Sequence, residues 1–154
     1  MVDFKKDTWI YILIAAILAL ISIFTPIASY ETDTQYFFGG VLAYNADADP
    51  SWMGYGAATI WTLALTSMSI ALLLFYGIHN MKGMEFKWDW LVYALCGIVM
   101  FIFPILMMVF DLEYTYGTIE YKLDVGFAPI GILISGIISI AVFALEKFVS
   151  GRGA

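Results

Sequence analysis

Four stretches of this 154-residue chain are long, apolar and almost free of charge, and that pattern constrains the fold more than any motif. They are Trp9–Ala28, Ala57–Ile78, Trp90–Phe110 and Phe127–Val149. A helix rises about 1.5 Å per residue, so roughly 20 apolar residues match the ~30 Å hydrocarbon core of a bilayer. The first three stretches hold no Asp, Glu, Lys or Arg, and the fourth holds only Glu146 and Lys147, in its last turn. Long side chains at a helix end can reach the headgroups, and that is the expectation for both residues. A charge at a helix centre costs roughly 2.5–3.5 kcal/mol on insertion scales, so charge-free runs of this length carry information. Composition agrees, with 62% hydrophobic and 13% charged residues, where soluble domains are roughly 45–50% apolar. The expected fold is a membrane all-α protein with a small β component: a four-transmembrane-helix bundle capped by a small extracellular antiparallel sheet, forming a single domain over residues 1–154. A cleaved signal peptide is the alternative for the first stretch, because Lys5 and Lys6 precede an apolar run ending in Pro26-Ile27-Ala28-Ser29. With Met1 in the chain, a retained first helix is expected.

The basic residues set the orientation. Of Lys5, Lys6, Lys82, Lys87, Lys122, Lys147 and Arg152, all but Lys122 flank the helix ends that would lie on one side. By the positive-inside rule that side is the cytoplasm, which makes this a multi-pass protein of the cell membrane with both termini cytoplasmic. The outer loops, 29–56 and 111–126, then hold Glu31, Asp33, Asp47, Asp49, Asp111, Glu113, Glu120 and Asp124 against Lys122 alone. Aromatic residues sit at the same edges: Trp9, Tyr11, Trp88 and Trp90 inside, and Tyr30, Trp52, Tyr55 and Tyr114 outside.

The connections differ in character. The inner loop His79–Asp89 is short and contains Gly83, which suits a tight antiparallel hairpin of the second and third helices. In the second outer loop Ile119, Tyr121, Leu123 and Val125 alternate with Thr118, Glu120, Lys122 and Asp124, the period of a half-buried strand. Tyr114 and Tyr116 share that alternation ahead of Gly117, where the chain can turn. In the first outer loop Thr32–Phe38 reads as a strand, Gly39-Gly40 as a two-residue turn and Val41–Tyr44 as the returning strand. Tyr36, Phe37, Phe38 and Trp52 are candidate partner-binding residues, because aromatic anchors are favoured in contacts; the alternative is that they close a miniature core over the helix ends.

Within the helices, Gly131, Ser135 and Ser139 fall four apart, as do Ala15 and Ala19, so backbones can approach on those faces. Pro104 lies inside the third helix and removes one hydrogen bond from its ladder. Signs of catalytic chemistry are few. A single histidine, His79, excludes bis-histidine haem ligation, and a single cysteine, Cys96, excludes an intrachain disulfide or a Cys-based zinc site. Asn45-Ala46-Asp47-Ala48-Asp49 resembles the start of an oxygen-ligand calcium loop, making Asp47 and Asp49 candidate ligands for a weakly held calcium ion. Pro50 and Gly56 then stand where that loop would have Gly and Glu. No other cofactor is expected, no catalytic residue is assigned and no nucleic acid is expected as a partner.

The layout resembles the claudin and peripheral-myelin-protein tetraspan family: four helices with both ends inside, an outer sheet built mainly from loop one, and a strand, Thr118–Val125, running directly into helix four. In place of the family's loop-one signature, a Trp followed by Gly-Leu-Trp and two cysteines, this loop carries Phe38-Gly39-Gly40-Val41-Leu42 and no cysteine. The resemblance therefore assigns no residue a role. It implies cell-surface adhesion, lateral polymerisation or an auxiliary role beside another membrane protein. The sequence thus points to a non-catalytic membrane structural or interaction protein, as an accessory subunit or a self-associating chain, whose partners are membrane lipids, further copies or other membrane subunits. An oligomeric cation pore is the alternative, and a lipid-acting enzyme comes third. The topology is testable directly. Tags at both termini should be reachable only from the cytoplasm, and a Cys replacing Asp47 should react with an impermeant reagent from outside; external labelling of either terminus would contradict the assignment.

Overall fold

The computed structural model describes residues 7–30, 33–37, 57–116 and 119–149. Four helices dominate it: α1 (Thr8–Ser22), α2 (Ala57–Met81), α3 (Asp89–Phe110) and α4 (Phe127–Ala144), the last continued by a π-helical turn, Leu145–Val149. Each helix packs against its neighbours in sequence, and α4 closes the ring on α1. The chain runs up, down, up and down between two ends. The sheet end holds the short strands, and the turn end holds residues 82–88, which join α2 to α3.

Three helices are long and apolar enough to cross a membrane: α2, α3, and α4 with its π-helical continuation. The first helix departs from expectation. It was expected to reach Ala28, but its α-helical part spans 15 residues and ends at Ser22, a rise of about 22 Å, shorter than a ~30 Å hydrocarbon core. The cause is local. Pro26 has no N–H to give the ladder and disfavours helical backbone at Thr25, whose hydroxyl donates to the Ser22 carbonyl at 2.7 Å. The chain instead enters β1 (Ala28–Tyr30).

This strand organises the sheet end. It pairs antiparallel with β2 (Asp33–Gln35) on one side and β5 (Asp124–Val125) on the other, with Ala28 opposite both Gln35 and Val125. β2 falls within the strand expected over Thr32–Phe38; Gly39-Gly40 and the expected return strand lie outside the described residues. A separate hairpin joins β3 (Glu113–Tyr116) to β4 (Ile119–Lys122), with Tyr114 opposite Tyr121, as the alternation in the second loop predicts. From β5 the chain passes straight into α4. The N–H of Gly126 donates to the Ile27 carbonyl at 2.7 Å, and the N–H of Ala128, an otherwise orphaned donor of the first helical turn, to the Pro26 carbonyl at 2.9 Å.

At the turn end α2 stops in a Schellman motif. Met84 N–H donates to the His79 carbonyl and Gly83 N–H to that of Asn80, both at 3.0 Å, with Gly83 at φ 77°. A residue with a Cβ is strained in that conformation.

α3 and α4 approach closely at two glycines. A Cβ built on Gly97 would lie 2.9 Å from the Ile140 nitrogen and 3.0 Å from the Gly136 oxygen, and one on Gly136 would lie 2.8 Å from the Phe101 nitrogen and 2.9 Å from the Gly97 oxygen. Each glycine faces the other's backbone, so any side chain would push the helices apart. Gly97→Ala and Gly136→Ala should each destabilise the bundle by about 1–3 kcal/mol, the range for overpacking a filled site. Gly83→Ala should cost less, about 1 kcal/mol, because its strain is confined to one turn. Unfolding of the purified protein in detergent would rank the three.

Candidate functional site

Carboxylates with hydrogen-bond partners on other helices lie at the two ends of the bundle. At the turn end, the Thr8 hydroxyl at the start of α1 donates to Glu146 Oε1 beyond the end of α4, and both residues are almost fully enclosed. Glu146 was expected to reach the headgroups. The structure encloses it instead, within the π-helical turn and bonded to Thr8. On the opposite pair of helices, Asn80 Nδ2 donates to Asp89 Oδ2 at 3.1 Å and to the Tyr93 hydroxyl, while Asp89 Oδ1 accepts the Trp90 N–H at 2.7 Å. Asp89 is 2% exposed. A carboxylate in the first turn of α3 also meets the positive end of that helix's dipole. One turn further along, the Ser139 hydroxyl donates across to the Tyr93 carbonyl at 2.8 Å.

The sheet end has the complementary device. Asp111, just past α3, accepts both the backbone N–H and the hydroxyl of Thr59 at 2.5 Å, satisfying an N-terminal donor of α2. Its Oδ2 thereby ties the end of α3 to the start of α2. Between the ends, the Thr62 hydroxyl contacts the carbonyls of Ala58 and, across the interface, Phe103. The Thr66 hydroxyl and Asn80 Oδ1 are buried without a hydrogen-bond partner. His79 makes a 2.8 Å contact from Nδ1 to the Phe75 carbonyl and lies beside the Phe75 and Phe86 rings at the turn end.

The residues singled out in the sequence distribute as follows. Ala15 and Ala19 are fully buried on α1, on the face that also carries Ile12 and Ala16. Gly131 lies against Ser22 of α1, where a Cβ would come 2.0 Å from the Ser22 oxygen, and Ser135 donates to the Gly131 carbonyl within α4. Phe37 is 4% exposed and packs into the core that includes Ile27, Leu112 and Leu123, so it closes the miniature core and offers no open contact surface. Tyr36 is half-buried. Phe38, Trp52, Asp47 and Asp49 lie outside the described residues. Among the described residues no group of three or more His, Cys, Asp or Glu side chains is placed to hold a metal ion.

Sequence reasoning missed the polar stripe of α2 and the turn-end cluster. The stripe was readable: Thr59, Thr62, Thr66 and Ser69 recur at three- and four-residue spacing, and all four are buried. The pairing of Thr8 with Glu146 was not, since the two lie at opposite ends of the sequence. Chemically these groups fasten helix termini to one another. Thr8→Val should leave the Glu146 carboxylate short of a donor and cost about 1–3 kcal/mol, and Asp111→Ala should cost about 1 kcal/mol as a lost cap. Both are measurable as lowered thermal stability in detergent, with Asp111→Asn intermediate.

No protein-family model matches the chain, and no curated protein or solved structure matches it.

Proposed function

We propose that the chain is a non-catalytic interaction protein of the cell membrane, an accessory subunit or a claudin-like self-associating protein with both termini in the cytoplasm. The observation that carries this reading is the use of the polar side chains. Thr8, Thr59, Thr62, Asn80, Ser139, Asp111 and Glu146 make hydrogen bonds that join one helix to another. Such use of polar groups suits a rigid scaffold whose work is done by its surface. The apolar exterior supports a lipid setting: Ile17, Ile21, Trp61, Met68, Leu95, Ile98 and Ile137 all lie open on the helices.

The sheet end is the preferred contact face. There the strands hold a fixed platform, and Phe24, Phe110, Val125 and Phe127 are exposed around it. The core beneath is filled, with Ile12, Leu73, Met100 and Ile132 fully enclosed. A pore would therefore have to run between copies.

The mass and composition of the native particle extracted in mild detergent test the reading. Expected is a particle larger than one chain, containing either a discrete partner or a small number of copies, which Phe24→Ser with Phe127→Ser at the sheet rim weakens without loss of helical content. A monomer in every mild detergent, with no partner recovered after crosslinking in the membrane, would defeat it. An ion conductance from the reconstituted chain alone would shift the assignment to the pore.

A further inference from the structure

Four aromatic rings line the turn end between α3 and α4. Trp88 and Trp90 have centroids 6.3 Å apart, Trp90 and Phe143 6.0 Å, and Phe143 and Phe148 5.9 Å. The row is open at both extremities, where Trp88 is 58% and Phe148 74% exposed. Two ammonium groups stand over it: Lys87 Nζ lies 5.8 Å from the Trp88 ring centroid and Lys147 Nζ 3.6 Å from that of Trp90. Rings of this kind often do no more than cover a helix end. Three features go further.

The first is charge. Lys87 and Lys147 bring two cations to the rings, while Asp89 and Glu146, their near neighbours in the chain, are almost fully enclosed. Glu85 and Lys82 are exposed further along the turn. The second is geometry. A cation over an aromatic face is held in place by the ring quadrupole, and an ammonium has three N–H donors to offer an oxyanion. The third is continuity with the apolar exterior. Leu91 and Leu95, which follow Trp88 on the same face of α3, are both exposed, so the row of rings leads onto a strip suited to an acyl chain.

We propose that Lys87 and Lys147, above Trp88, Trp90, Phe143 and Phe148, form a binding site for the phosphate of an anionic phospholipid headgroup. The lipid's phosphate meets the two ammonium groups, its glycerol region lies on the rings, and its chains follow Leu91 and Leu95. A free phosphate ion would use the ammonium groups alone and leave the apolar strip unused. The inference rests on the reading that the chain spans a membrane, with the turn end at the anionic cytoplasmic leaflet.

The test uses the full chain, extracted in mild detergent and titrated with phosphatidylglycerol or phosphatidylcholine of matched chains, with bound lipid counted by native mass spectrometry. A lysine near an anionic surface is worth roughly fivefold in affinity. Phosphatidylglycerol should therefore bind roughly 25-fold more tightly than phosphatidylcholine, Lys87→Gln should reduce that preference about fivefold, and Lys87→Gln with Lys147→Gln should abolish it. Lys87 is exposed on the turn, so its single variant is expected to fold, and circular dichroism checks that it does. Lys122→Gln, at the other end of the bundle, should change nothing. Equal binding of the two lipids, or an unchanged preference in the double variant, would overturn the site. So would displacement of the lipid by an equal concentration of inorganic phosphate, which would make free phosphate the ligand. Release of the chain from membranes by alkaline carbonate would overturn the membrane reading and the site with it, whereas retention with no lipid preference would overturn the site alone.

Discussion

The backbones of α3 and α4 touch at Gly97 and Gly136, and the rest of the bundle is arranged around that contact. Where apolar helices lie in lipid, packing their side chains against one another gains little over leaving them against acyl chains. Association then depends on dispersion between closely fitted surfaces and on hydrogen bonds across them. Close fit requires small residues where helices cross. Gly97 and Gly136 supply it for α3 and α4, Gly131 against Ser22 for α4 and α1, and Gly77 against Ile12 and Leu13 for α2 and α1.

Polar groups fasten what the glycines bring together. The Ser139 bond to the Tyr93 carbonyl lies along the same α3–α4 seam, and Thr62 reaches the Phe103 carbonyl across the α2–α3 seam. At the ends, carboxylates take over. Asp111 holds the start of α2 at the sheet end, Glu146 holds the start of α1 at the turn end, and Asp89 holds Asn80. The π-helical turn that holds Glu146 also carries Lys147, whose ammonium stands over the Trp90 ring.

Much of the architecture was legible before any coordinates. Length, apolar content and the absence of charge marked α2, α3 and α4 to within a few residues, since each is a continuous feature of one stretch of chain. The β3–β4 hairpin was legible from alternation, and the α2 turn from Gly83. The pairing of β1 with both β2 and β5 was not legible. β5 is some ninety residues away in sequence, and no local pattern encodes that partner. Phe37 read two ways, as a contact residue or as part of a miniature core, and its burial decides for the core.

What the sequence by itself determined is the class of object: a chain with four apolar segments, a net negative charge gathered in two loops and cations gathered near the other helix ends. Those properties depend on composition along the chain, which folding does not alter. Only the tertiary structure decided which small residues meet, which acids are enclosed and which lysines stand over rings. Gly136 and Ser135 are adjacent and both small, yet Gly136 faces Gly97 while Ser135 bonds within its own helix. A rotation of about 100° per residue separates those fates, and only the packing of α4 between α1 and α3 selects between them.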